Sequence, residues 1–136
     1  MAFGHGKDSV FKLDNASASL TDISSYVRSV RYNPTAAADE TTTMGKASKT
    51  YIAGLKDATI SIEGFWDPTV DAIFNSALGS STTKTFEHGP EGGTSGDIRY
   101  TGECICTSYN IDPAVDGVVP FSAELQVTGD VTRNTY

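Results

Sequence analysis

Val119-Pro120-Phe121-Ser122-Ala123-Glu124-Leu125-Gln126-Val127-Thr128-Gly129-Asp130-Val131-Thr132-Arg133 is the stretch whose reading decides the fold. Phe121, Ala123, Leu125 and Val127 fall on one face. Ser122, Glu124, Gln126 and Thr128 fall on the other, the period-2 pattern of a half-buried strand. Asp97 to Asn110 is a second alternating run, joined to the first by one turn. At about 3.3 Å per residue each run spans roughly 35 to 45 Å, well beyond the commonest strand length. Strands this long suit the walls of an extended sheet or barrel better than a short-stranded enzyme core. One side must meet a core, and the other meets water or a partner.

Working outward, Ala58 to Trp66 repeats the alternation, with Ala58, Ile60, Ile62 and Trp66 opposed to Thr59, Ser61 and Glu63. Asp67-Pro68 then announces a helix over 67–79, because Asp caps free backbone amides and Pro suits the first turn. Val70, Ile73, Phe74, Ala77 and Leu78 recur at helical spacing as its packing stripe, and Gly79 closes it. Ser9 to Leu13, Tyr26 to Tyr32 and Thr83 to Glu87 read as further strands, and 89–96 reads as a flexible loop into the long run that follows. Residues 33–49 carry Ala and Thr triplets, a glycine and almost no large apolar side chain apart from Met44. This segment is expected to be a long extended loop outside the core. Structureless loops of that length are uncommon in compact domains and are usually functional, so it is a candidate for folding against another subunit.

The chain has 136 residues, enough for a single domain (1–136) with a modest core. Ten Lys and Arg stand against seventeen Asp and Glu, a net charge of −7, which disfavours nucleic-acid binding by phosphate neutralisation. The N-terminus lacks a basic segment followed by an apolar run, and no apolar stretch approaches a membrane span. The expectation is a chain that stays soluble where it is made, with no membrane association. Without a secretory context the glycosylation pattern Asn15-Ala16-Ser17 carries little meaning.

Chemistry-bearing motifs are sparse, and neither an enzymatic activity nor a cofactor is expected. Cys104 and Cys106 share one face of a strand, where an extended backbone disfavours their mutual disulfide. Without paired ligands they read as small buried apolar groups in preference to a metal site. His5 and His88 each stand beside glycine with no nucleophile placed for them. Gly4-His5-Gly6-Lys7 lacks the spacing and context of a phosphate loop. Pairs such as Asp39-Glu40 suit an exposed loop better than acid/base catalysis.

The order of elements, together with Leu55 to Gly64, Arg99-Tyr100-Thr101-Gly102-Glu103-Cys104 with Thr107-Ser108-Tyr109, and above all Val119 to Val131, resembles the major tail protein, or tail tube protein, of bacteriophages with long, non-contractile tails. The resemblance spans nearly the whole chain. It implies a mainly β, tail-tube-type β-sandwich or barrel with one flanking α-helix. It further implies hexameric rings whose inner sheets join into one barrel, and stacking of those rings into the tube that conducts genomic DNA into the host. The partners it implies are the chain itself, the tail tip or baseplate, and the tape measure and tail terminator proteins. DNA would pass through the lumen without specific binding. The place implied is the virion tail, assembled in the host cytoplasm.

On this reading Pro34, Asp39, Glu40, Thr42, Met44 and Lys46 are inter-subunit loop candidates, and Glu63, Glu124, Gln126 and Asp130 are lumen candidates. The ring protein of type VI systems shares the architecture. The rival of a different class is a β-sandwich adhesion or carbohydrate-binding module, which calls for an ordered face of aromatics. A small hydrolase would need a cluster of acid, base or nucleophile that the chain does not assemble.

Overall fold

The alternating runs form seven strands of one antiparallel sheet with a single α-helix. The computed structural model describes residues 3–136. In chain order the elements are β1 (Val10–Asp14), β2 (Leu20–Asp22), β3 (Val27–Glu40), β4 (Tyr51–Phe65), α1 (Pro68–Ala77), β5 (Lys84–Gly89), β6 (Ile98–Ile111) and β7 (Pro120–Thr135). The strand order across the sheet is β2-β1-β5-β6-β7-β4-β3.

The sheet is rolled. β3 and β6 are three strand steps apart, about 14 Å if the sheet were flat, yet the rings of Tyr32 on β3 and Tyr100 on β6 lie 5.2 Å apart. The start of β3 also shares a cleft with Val10, Phe11 and His88 of β1 and β5. A single twisted sheet therefore closes over its own apolar face, giving a sandwich-like barrel from one continuous hydrogen-bonded ladder. Inside lie Phe11, Leu13, Ile60, Ile62, Phe86, Cys104, Cys106, Phe121, Ala123, Leu125 and Val127, all buried. The two cysteines are free thiols on the same inner face.

Helix α1 caps this core. The Asp67 carboxylate accepts from the Thr69 backbone N–H at 2.9 Å, and Pro68 occupies the first turn, where a missing N–H leaves no bond unmade. Val70, Ile73, Phe74 and Ala77 are buried. The Phe74 ring stacks on Tyr109 at 5.4 Å and tilts against Phe121 at 5.6 Å. Leu78, read as part of the packing stripe, is instead the C-cap and 43% exposed. Its backbone has left helical geometry and bridges to Cys106 of β6, which turns the side chain away from the helical face.

The largest departure concerns 33–49. Its first part is strand: β3 continues to Glu40 and pairs with β4 from Asn33↔Thr59 to Glu40↔Tyr51, so only 41–50 forms a loop. Both faces of this hairpin are exposed, and without a buried side there is no reason for apolar and polar residues to alternate. Pro34 is tolerated because β3 is the sheet's last strand and one of its edges needs no donors. The hairpin is closed by polar bonds, with the Thr41 N–H donating to the Thr50 carbonyl at 2.8 Å and the Thr50 N–H to the Thr42 hydroxyl at 2.9 Å.

Among the described residues no helix is long and apolar enough to cross a membrane.

Candidate functional site

Two kinds of surface stand out: a polar sheet face with open edges, and a projecting hairpin. The first is the outer side of β3, β4, β7 and β6. Register places Arg31, Ser61, Glu124 and Ser108 in one row across the four strands. Ser29, Glu63, Ser122 and Asn110 form the next, and Asn33, Thr59, Gln126 and Ile105 a third. The opposite face of the same strands carries Ile60, Ile62, Cys106, Ala123 and Leu125 in the core. Alternation thus drives polar groups to one continuous surface, because the other surface is needed to exclude water.

Three of the four acidic or amide residues singled out in the sequence meet on this face. Glu63 lies directly across from Ser122 and Glu124 directly across from Ser61, which makes the two carboxylates diagonal neighbours on adjacent strands. Gln126 is tied down: its amide donates to the Asp57 carboxylate at 2.7 Å and to the Ala58 carbonyl at 3.1 Å. Asp130 stands apart. It follows Gly129 (φ +85°) in an irregular stretch of β7 between Glu103↔Thr128 and Thr101↔Thr132, where strand alternation no longer sets direction. The sequence reading did not single out Arg31, a cation in the same row as Glu124. It sits on the outer parity of β3 opposite Ser61, a signal available only once the pairing is known. The one ion pair among the described residues, Arg99 with Glu87 at 3.6 Å, lies elsewhere, on β6 and β5.

Both lateral edges of this four-stranded surface are open. β3 is last in the sheet, so one side of its 14 residues has no strand partner. β6 pairs with β5 only from Tyr100 to Cys104, leaving its half nearer Ile111 unpaired on that side apart from the Leu78 bridge. Open edges of this length invite pairing with another chain.

The second surface is the hairpin. Beyond Thr59↔Gln126, β7 leaves β4, and an open cleft of about 1100 Å³ lined by Tyr32, Pro34, Leu55, Lys56 and Val131 separates them. Pro34, Asp39, Glu40, Thr42, Met44 and Lys46 are all exposed, Met44 completely. Tyr51, Ile52 and Leu55 add apolar surface along the arm, Leu55 being 89% exposed.

Groups with reactive chemistry are used structurally. Burial pushes the Cys104 thiol up to about 12, with the nearby Glu103 adding to it, and burial also raises Cys106, so neither is a thiolate nucleophile near neutrality. Burial lowers the pKa of His88, whose Nδ1 lies 3.3 Å from the Val10 carbonyl. Nδ1 of His5 accepts from the Lys7 backbone N–H at 3.2 Å. The Tyr109 hydroxyl is raised to about 12, first by burial and then by its hydrogen bond to Asp71 at 3.0 Å. No cluster of three or more His, Cys, Asp or Glu suited to a metal occurs among the described residues.

A family model for the phage tail tube protein matches residues 4–133. The chain belongs to the phage tail tube protein family. Among solved structures, this tail tube chain is similar to one in the virion of a native gene transfer agent particle, with a TM-score of 0.82 at 18% identity over 98% of this chain and 100% of that one. It is similar to the tail tube of SPP1, with a TM-score of 0.76 at 14% identity over 98% of this chain and 80% of that one. It also resembles an Hcp protein, with a TM-score of 0.54 at 13% identity over 94% of this chain and 98% of that one. At these identities the likeness is one of fold. No curated protein sequence matches the chain.

Proposed function

We propose that this tail tube protein is a non-enzymatic structural component of a virion tail. Six copies join edge to edge into a ring whose β3-β4-β7-β6 faces close into a barrel around a channel. Stacked rings then form the tube through which genomic DNA passes into the host. The observation that carries this reading is a four-stranded sheet that buries one face, keeps the other polar, and leaves both lateral edges open. Closure into a barrel satisfies those edges, because β3 of one copy and β6 of the next exchange the backbone bonds that neither finds within its own chain. The similar chains of the gene transfer agent virion and the SPP1 tail tube support the same assembly.

With Glu63 and Glu124 on the channel wall, a polyanion is repelled over about a Debye length of 8 Å at physiological salt, so DNA slides without sticking. Asp130 and Gln126 contribute less, the first by position and the second because its amide is engaged. The hairpin residues Pro34, Asp39, Glu40, Thr42, Met44 and Lys46 make inter-subunit contacts. The tube ends meet the tail tip or baseplate and the tail terminator, and the tape measure occupies the lumen before ejection. Assembly takes place in the host cytoplasm. A carbohydrate-binding module finds less support, because the exposed aromatics form no common face: Phe3 lies ahead of β1, and Tyr51 and Phe65 stand at opposite ends of β4.

Negative-stain electron microscopy over a concentration series tests the proposal. Rings or tubes with a central channel are the expected result, and a monomer at every concentration overturns it.

A further inference from the structure

The two most exposed loops of the chain are opposite in charge and lie at opposite ends of the same four-stranded sheet, one joining β3 to β4 and the other β6 to β7. The arm-tip loop, 41–50, carries Lys46 and Lys49 and no carboxylate. The β6–β7 loop, 112–119, carries Asp112 and Asp116 and no cation. Each also presents bare apolar side chains: Met44 on the first, Val115 and Val118 on the second, with Met44 and Val115 wholly in solvent. A single exposed apolar side chain is ordinary. Here each sits beside unpaired like charges, since none of these four charged groups belongs to the one ion pair among the described residues.

The two loops cannot meet within one copy. Register links Val27, Gly64, Phe121 and Ile111 at one end of the sheet, and the 112–119 loop departs from there. The arm tip departs from Glu40 and Tyr51 at the other end. The thirteen residue steps of β4 from Gly64 to Tyr51 put roughly 40 Å between those ends.

We infer that the 41–50 loop of one copy seats against the 112–119 loop of the next copy along the tube, with Lys46 and Lys49 facing Asp112 and Asp116 and Met44 covered by Val115 and Val118. The inference rests on the proposed barrel, because strands in a barrel run tilted from rim to rim and so deliver their two ends to the rings on either side. A contact between unlike ends of the molecule is heterologous. Repeated from ring to ring it does not close, and so it elongates. Like charges brought together by an inverted ring repel, which gives the stack one polarity. Arg28 lies near Asp112 and Glu63 and keeps its charge over the Phe65 ring at 5.3 Å; set against Asp112, Asp116 and Glu63 it leaves that end negative. Asp39 and Glu40 end β3 at the base of the arm, so the positive charge is confined to the tip residues Lys46 and Lys49.

Charge reversal tests the pairing. One variant carries Lys46→Glu with Lys49→Glu, and the other carries Asp112→Lys with Asp116→Lys. Each alone now presents two like-charged ends, so the concentration needed for elongation rises about tenfold or more over the parent. An equimolar mixture of the two restores complementary ends and recovers tubes in electron micrographs. Elongation of either variant alone at the parental concentration, or a mixture no better than its components, overturns the pairing. The mixture keeps the test decisive even if one variant is less soluble. In the parent, tubes shorten between about 0.1 M and about 1 M salt as the Debye length falls from ~10 Å to ~3 Å, and salt-insensitive length counts against the pairing. Absence of rings or tubes in the parent itself sinks the underlying assembly reading, a result distinct from failure of these loops to pair.

Discussion

Gly64 shows how one residue constrains the rest. A Cβ there would collide with the Tyr26 carbonyl oxygen and come within 2.9 Å of the Phe121 ring, so the chain's entry into β3 sits against β4 only because the side chain is absent. Gly64→Ala is expected to destabilise the folded subunit by about 1–3 kcal/mol, the usual cost of overpacking a site that cannot yield. Urea denaturation of the unassembled subunit would show it as a lower midpoint at unchanged slope.

Titratable groups make a second residue-scale prediction. His88 is lowered from its ordinary 6.5 by burial, so the unfolded chain takes up the proton first on acidification. Its contribution to stability is whole above 6.5 and is lost as pH falls below it. Cys104 is raised from 9.0 to about 12, so the unfolded chain loses its proton first, and stability declines as pH climbs from about 9 toward 12. Tyr109, raised from 10.0 to about 12, acts in the same direction. Stability should therefore plateau between about pH 6.5 and 9 in denaturation midpoints. Iodoacetamide at pH 8 should label the cysteines only after unfolding.

At the scale of elements, the hairpin and the helix contrast. Helix α1 is held by Phe74 and its neighbours in the core. The far half of the β3–β4 hairpin touches almost none of that core. Replacing 37–54 by a tight turn should leave the subunit's stability within about 1 kcal/mol of the parent, since exposed segments contribute little, while abolishing assembly. Melting curves and electron microscopy on the same preparation separate the two effects. Loss of both would place the arm in the fold instead of in the contacts.

The helix was legible from its cap, its proline and its apolar spacing, all local signals. The hairpin's strands were hidden, because Pro34-Thr35-Ala36-Ala37-Ala38 carries neither a helical stripe nor a two-residue alternation. What makes residues 33–40 a strand is the partner β4, not their own composition. Leu78 erred the other way: it has the right spacing, but the helix ends one residue before it.

At the scale of the whole molecule, charge placement makes the remaining prediction. If the β3-β4-β7-β6 face lines a channel, Glu63→Lys with Glu124→Lys converts a repelling wall into an attracting one. Tubes of this variant should retain DNA in co-sedimentation at low salt and release it as salt rises, while parental tubes retain none. Equal DNA retention by parent and variant would move these residues off the channel wall.

Alternation along β4, β6 and β7 is a property of neighbouring residues, and the sequence by itself therefore determined a mainly β chain with long two-faced strands, one capped helix and buried cysteines. It also supplied the polar set Glu63, Glu124 and Gln126. Strand pairing joins residues far apart in the chain, and only the tertiary structure decided what depends on it. That includes the single rolled sheet, the two open edges, the row that joins Arg31 to Glu124, the separation of Asp130 by its bulge, and the placing of two oppositely charged loops at opposite ends of the same sheet. Periodicity records which side of a strand is dry; which strand lies beside it is set by long-range hydrogen bonding and packing, of which a local window of sequence holds no trace.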